Sequence, residues 1–124
     1  MSLTLSGSNG LTFPDSSTQA SGKQAVKAWV NFDGASGGTV AIRDSYNVTS
    51  ITDNGTGDYT VNYTAALSNA NYAILTTGSN TDGLVTGVRT ASAAPTTTTA
   101  RLFTTNTSFV STDATYVHFA AIGA

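Results

Sequence analysis

Residues 27–64 of this chain read KAWVNFDGASGGTVAIRDSYNVTSITDNGTGDYTVNYT, and this stretch decides the fold. Apolar residues stand at every second position in two parts of it, which is typical of strands with one buried face. Between these parts, Asn54-Gly55 supplies the positive φ angles that a tight hairpin needs. We therefore expect antiparallel β-structure in which residues 46–51 pair with residues 58–64. The alternating residues are Ala28, Val30 and Phe32, continuing from Val26, and then Tyr59, Val61 and Tyr63.

The composition of the chain favours an all-β fold. Its 124 residues suit one domain. Charged residues make up 10% of the chain, well below the usual share of about a quarter, and none of them is Glu. Thr, Ser, Gly and Asn, which populate strands and turns, are abundant instead. About eight short strands predict an antiparallel β-sandwich, with residues 72–77 and 116–122 as central strands and a closed barrel as the alternative.

Residues 1–22 differ from the rest because they contain few large apolar groups. Residues 3–5 and 11–13 alternate like two short strands, but a lone two-stranded ribbon is marginal in water. We therefore expect this segment to rest on its own domain, on a second copy or on a larger particle. The predicted organisation is an N-terminal β stalk or attachment segment at residues 1–22 and a β-sandwich domain at residues 23–124.

Charge and composition exclude several classes of partner. The net charge is −2 and no basic cluster occurs, so we expect no nucleic-acid binding. The absence of cysteine excludes disulfides and thiolate metal sites. No signal peptide and no apolar run of transmembrane length is present, so we expect no membrane insertion. We also expect no cofactor and no bound metal.

Motifs for catalysis are weak. Gly34 to Gly38 spell the Gly-x-Ser-x-Gly nucleophile elbow around Ser36, but the residues that follow alternate like a strand and not like the helix that the elbow requires. His118 is the single histidine, and we interpret it as a core or interface residue.

The aspartates are likewise interpreted as turn residues. Residues 53–58 superficially resemble a calcium loop, but the spacing of ligands is wrong and the closing Glu is missing. Pairs of carboxylates for glycoside hydrolysis are available in principle. All of them lie in or beside turns, where Asp bonds its own backbone. They are Asp44, Asp53, Asp58 and Asp82.

Two polar loops are candidates for receptor contact. Polar groups beside an aromatic ring suit a sugar-binding surface, although ordinary solvated loops have the same composition. The candidate residues are Asn80, Thr81 and Asp82 in the first loop and Asn106, Thr107 and Phe109 in the second.

Two stretches resemble phage tail-fibre proteins. Residues 10–19, GLTFPDSSTQ, resemble the Gly-Ile-x-Phe-Pro-Asp-Gly-Thr-x-Gln segment that recurs in fibre chains, with Ser16 in place of Gly. A second series is similar to a module of tailed-phage fibre and virion proteins. It comprises KAWVNFDG at 27–34, IRDSYNV at 42–48, ITDNGTGDYTVNY at 51–63 and ANYA at 70–73.

The resemblance implies a non-enzymatic virion protein, made in the bacterial cytoplasm, that attaches to a glycan or protein of the host surface. It also implies a homotrimer that contacts other virion proteins through its N-terminal segment. Trp29 lies opposite the core face of its strand, where either a neighbouring strand or another subunit covers it. The candidate interface residues are Leu11, Phe13, Trp29, Val117 and Phe119.

Two other functions remain open. Fibre proteins usually carry a long N-terminal anchor, whereas this chain shows only a short segment, which also suits a capsid-decoration or head-fibre protein. A small glycan depolymerase would have to use Asp53 or Asp58, and we regard it as the third alternative.

Overall fold

The computed structural model describes residues 11–12, 14, 18–19, 25–37, 39–79 and 83–124. Within these residues the protein is all-β and contains no helix. Eight antiparallel strands form two four-stranded sheets that enclose one apolar core, as in an antiparallel β-sandwich. The predicted fold class is therefore confirmed. The trimer and the boundary between residues 22 and 23 stay predictions.

Strands in the described part of the chain are numbered in sequence order. They are β1 (Leu11–Thr12), β2 (Thr18–Gln19), β3 (Val26–Asp33), β4 (Ala41–Tyr46), β5 (Val48–Gly55), β6 (Asp58–Tyr63), β7 (Ala73–Ser79), β8 (Leu84–Val88), β9 (Thr99–Asn106) and β10 (Tyr116–Ile122). Sheet I has the order β4-β3-β10-β7, and sheet II has the order β5-β6-β9-β8. Strands β1 and β2 form a separate two-stranded pair.

A single residue carries the chain from sheet I to sheet II. Asn47 separates β4 from β5 and adopts φ 54°, a left-handed conformation that asparagine tolerates better than most residues. Its amide group donates to the carbonyl oxygens of Lys27 and Ala65 at 3.0 and 3.1 Å, and its Oδ1 accepts from the Ala65 N–H at 2.8 Å. The chain therefore turns at Asn47 from β4 of one sheet to β5 of the other.

The core consists of the inward-facing residues of both sheets, as period-two alternation predicts. Ala28, Val30 and Phe32 of β3 are at most 1% exposed, whereas Val26 at the start of that strand is 47% exposed. The buried apolar residues are Ala28, Val30, Phe32, Val48, Tyr59, Val61, Tyr63, Leu67, Tyr72, Ala100, Leu102, Ala114, Val117, Phe119 and Ala121.

The two strands that are apolar on both faces have different positions. The prediction that residues 116–122 lie inside a sheet is confirmed, because β10 runs between β3 and β7. The central position predicted for residues 72–77 is wrong, because β7 is the edge of sheet I. This edge lies beside β8 of sheet II, where Thr76 Oγ1 donates to Thr86 Oγ1 at 3.0 Å. The apolar outer residue of β7, Leu75, is 54% exposed.

The turn between β5 and β6 differs from its predicted position. Strands β5 and β6 pair as expected, but Gly55 pairs with Asp58, so the hairpin turns at Thr56-Gly57 and not at Asn54-Gly55. Gly57 supplies a positive φ of 65° there.

Near the N-terminus, β1 pairs with β2. The expected ribbon partner at residues 3–5 lies outside the described residues.

Candidate binding sites

The loop that follows β9 is organised by Asn106. Its Oδ1 accepts from the N–H groups of Ser108 and Val110 at 2.9 and 3.1 Å. Its backbone N–H donates to the Val110 carbonyl at 2.9 Å, and its carbonyl accepts from the Phe109 N–H at 3.0 Å. Asn106, a predicted receptor contact, thus stabilises the loop that presents its neighbours.

Phe109 is the most prominent residue of this loop. Its side chain is 78% exposed, and its backbone adopts φ 60°. A left-handed conformation is rare for a bulky residue and persists only where its surroundings impose it. The hydrogen bonds of Asn106 impose it here. The backbone of Phe109 is therefore strained, and its apolar ring lies in solvent. A strained backbone that persists in the folded protein often marks a functional residue.

The other predicted loop cannot be compared with the Asn106 loop directly. Asn80, Thr81 and Asp82 are outside the described residues, so their contact role stays a prediction. The next residue, Gly83, is described, and a Cβ placed on it would lie 2.7 Å from Cγ2 of Thr107. Gly83, at the start of the described residues that follow, is therefore close to Thr107 of the Asn106 loop.

An open groove of about 440 Å³ lies beside Phe109. We call it the Phe109 groove, and define it by Arg89, Phe103, Thr105, Phe109 and Ser111. By alternation along β9, Phe103 and Thr105 face away from the core, on the outer surface of sheet II. The Phe103 ring lies against the position opposite it on β8, where Gly87 has no side chain to displace it.

A charged cluster adjoins the groove. Arg101 holds Asp58 through two hydrogen bonds, from Nε to Oδ1 at 2.7 Å and from Nη2 to Oδ2 at 2.8 Å. Arg89 Nε is 3.2 Å from Asp58 Oδ2. The Arg89 guanidinium also lies 5.6 Å from the centre of the Phe103 ring. Two guanidinium groups thus share one carboxylate, which leaves one positive charge in excess.

The environment of Asp58 keeps it ionised. Its pKa is lowered, mainly by the hydrogen bond from Arg101 and also by the charges of Arg89 and Arg101, although burial opposes the shift. The same hydrogen bond raises the pKa of Arg101. A carboxylate of this kind is suited to an ion pair and not to general-acid catalysis, for which a raised pKa is needed.

Two polar atoms at the groove have no hydrogen-bond partner. They are Thr105 Oγ1 and Arg89 Nε, and both are buried. Sequence analysis identified Phe109 but missed Arg89, Phe103 and Thr105. The alternation of Arg101, Phe103 and Thr105 is visible in the sequence, but their proximity to Arg89 depends on the pairing of β8 with β9.

The catalytic motifs have structural roles. Ser36 Oγ donates within the loop between β3 and β4, to the carbonyl oxygens of Thr39 at 2.5 Å and Asp33 at 3.2 Å. The strand β4 follows this loop, so the strand-to-helix geometry of a nucleophile elbow is not formed. His118 is half-buried in β10, directly opposite Asn31 of β3.

Asp53 and Asp44 both accept from nearby backbone N–H groups, as predicted, but Asp44 lies within β4 and not in a turn. Asp53 Oδ1 accepts from the Gly55 N–H at 2.9 Å, and Asp44 Oδ1 accepts from the Ser45 N–H at 2.8 Å. Among residues of the described ranges, no group of three or more His, Cys, Asp or Glu side chains could hold a metal ion. Asp82 is outside these ranges.

An apolar row crosses the outer face of sheet I. Trp29 pairs with Tyr46 on one side and with Ala120 on the other, and Ala120 pairs with Leu75. Directly paired residues project on the same face of a sheet. Trp29, Tyr46 and Leu75 are 36%, 57% and 54% exposed. We call these four residues the sheet I row.

The predicted oligomer interface is corrected at two positions. Val117 and Phe119 are 0% and 2% exposed and belong to the sandwich core, because they point inward from the central strand β10. Neither side chain is accessible to another subunit. Trp29 is accessible, and its role stays a prediction. Phe13 and the side chain of Leu11 lie outside the described residues.

Comparison with family models, with curated proteins and with solved structures gives no match to this chain. In the described part of the structure, no helix is long and apolar enough to cross a membrane.

Proposed function

We propose that this chain is a non-enzymatic attachment module of a bacteriophage virion, related to tail fibres, that binds a glycan or protein of the host surface. The observation that carries the proposal is Phe109, an exposed ring held in a left-handed conformation by the hydrogen bonds of Asn106. The tail-fibre resemblance of residues 10–19 and 27–73 supports the same role.

The module is proposed to act as a homotrimer. The sheet I row offers three exposed large apolar side chains to a second copy of the chain. Exposed apolar patches on soluble proteins commonly mark interaction surfaces. Residues 1–22 are proposed to contact other virion proteins and to place the sandwich at the tip.

Binding to host cells tests the proposal. We expect the labelled protein to bind the host strain, and F109A to lose most of this binding. The matched control is V110A, because Val110 is also exposed, at 58%, and lies in the same loop outside the Phe109 groove. Equal binding by wild type, F109A and V110A would contradict a role of Phe109.

Antibody labelling of phage particles tests the location. Label on the tail supports the fibre module, whereas label on the head shell would indicate a capsid-decoration or head-fibre protein. Release of reducing sugar from host polysaccharide, lost in D53N or D58N, would indicate a depolymerase instead.

A further inference from the structure

We infer that the Phe109 groove is a subsite for an acidic sugar, a pyranose that carries a carboxylate. Arg89 binds the carboxylate, and the rings of Phe109 and Phe103 pack against the apolar face of the sugar. This inference rests on the proposed attachment function, because it names the ligand class of the same loop.

The size and lining of the groove suit a sugar ring. Small-molecule sites are concave, usually enclose about 300–1,000 Å³, and combine apolar walls with a few polar groups. The Phe109 groove has a volume of about 440 Å³, with two phenylalanine rings, two hydroxyl groups and a guanidinium along it. A pyranose presents the same combination, because C–H groups cover its faces and hydroxyl groups surround its edge.

The charge of the groove favours an anionic ligand. Arg101 occupies both oxygens of Asp58 with well-aligned hydrogen bonds. Arg89 Nε lies 3.2 Å from the same carboxylate without forming a hydrogen bond, and the Arg89 side chain remains 30% exposed. The planar donor fork of arginine suits bidentate binding of a carboxylate. Arg89 is therefore the cation that holds Asp58 less closely, and it is the one placed to bind the carboxylate of a ligand.

Unpartnered polar atoms add a second, independent observation. Buried polar atoms are nearly always hydrogen-bonded in native proteins, and exceptions call for an explanation such as a water or a ligand. Thr105 Oγ1 is buried without a partner in a residue that is 7% exposed, and it lines the same groove as Arg89. A hydroxyl group of the ligand supplies the partner that Thr105 Oγ1 lacks, whereas Arg89 Nε already lies 3.2 Å from Asp58 Oδ2.

The test compares one acidic oligosaccharide with its neutral ester. Oligogalacturonate and its methyl ester have the same sugar rings, but only the first carries carboxylates. NMR titration of the full chain at millimolar sugar measures both affinities. We expect the acid to bind at least about tenfold more tightly than the ester, with shifts at groove residues, because one charge-assisted hydrogen bond contributes about a factor of ten.

Three variants locate the binding. R89Q should lose about tenfold in affinity for the acid and nothing for the ester. R89Q leaves the Asp58–Arg101 pair intact, and unchanged spectra away from the groove verify its fold. F109A should weaken binding of both sugars, while V110A should bind like the wild type. Equal affinity for acid and ester, an unaffected R89Q, or no binding by the wild type at millimolar sugar overturns the inference.

Host-cell binding separates failure of this inference from failure of the proposed function. Loss of cell binding in F109A together with full binding in R89Q would refute the acidic sugar but retain the attachment module. The opposite result, oligogalacturonate binding that depends on Arg89 in a protein that does not bind the host strain, would retain the subsite and refute attachment.

Discussion

The phenol of Tyr59 donates a hydrogen bond to Asp113 Oδ1 over 2.8 Å. The same oxygen accepts from the Gly57 N–H at 2.7 Å. Tyr59 is fully buried in β6, and Asp113 lies between the Phe109 loop and β10. The pair therefore connects the β5–β6 turn to the segment that follows the Phe109 loop. Burial, reinforced by the Asp113 carboxylate, raises the pKa of the Tyr59 phenol well above its usual range, so the donor keeps its proton.

Removal of the Tyr59 hydroxyl should destabilise the protein. Y59F leaves the ring packed against Phe32, at 5.2 Å between centroids, but deprives Asp113 of one of its two donors. We expect the free energy of unfolding to fall by about 1–3 kcal/mol, measured by urea denaturation. Y116F is the control, because Tyr116 is 48% exposed. A loss in Y116F as large as that in Y59F would contradict this explanation.

Substitution of Asn47 tests the corner between the sheets. N47A removes three hydrogen bonds and leaves in the left-handed conformation a residue that tolerates it less well than asparagine. We expect a loss of about 2–4 kcal/mol in the free energy of unfolding. N47G should lose less, since glycine adopts this conformation at no steric cost. Equal losses in the two variants would show that the backbone conformation does not contribute.

The ion pair of Asp58 should make stability depend on pH. The folded-state pKa of Asp58 lies below its ordinary value of 3.8, so the ion pair stabilises the protein above that value and this contribution is lost as pH falls through the folded-state pKa. D58N should be less stable than the wild type at pH 7, and the difference should shrink below about pH 4.

Denaturation of both proteins at pH 7 and pH 3 measures this effect. D44N is the control, because Asp44 is exposed and its hydrogen bond to Ser45 can be kept by asparagine. Its stability at pH 7 should match the wild type within about 0.5 kcal/mol. A difference between D58N and wild type that stays constant from pH 7 to pH 3 would refute the linkage.

A charged side chain in the sheet I row should prevent the proposed homotrimer from forming. L75E places a carboxylate beside Ala120, in the same row as Trp29, without changing the core, because Leu75 is 54% exposed. We expect analytical ultracentrifugation at micromolar concentration to show a trimer for the wild type and a folded monomer for L75E. The control is T52E, an exposed position of β5 in sheet II, which should leave the trimer intact. A trimeric L75E would exclude this row as the interface.

The local sequence pattern was sufficient to predict the fold class and to identify much of the loop that carries Phe109. Alternation predicts the strands because side chains project to opposite faces at successive positions. The Asn106–Phe109 loop could likewise be identified from residue type, since a turn-forming amide close to an aromatic residue is visible in the sequence, whereas the exposure of the ring depends on the fold. The hairpin turn was misplaced by two residues, because both Gly55 and Gly57 permit positive φ and only the strand register selects Gly57.

Chain composition and alternation by themselves determined that this protein is all-β, and they favoured a sandwich over a closed barrel. Tertiary structure alone decided which apolar strand faces solvent, since Leu75 of β7 and Phe119 of β10 have similar sequence surroundings but opposite exposure. The tertiary structure also formed the charged cluster at the groove. Arg89 and Asp58 are distant in sequence and meet only because β6, β9 and β8 pair side by side. Strand order depends on long-range packing, which no local pattern encodes.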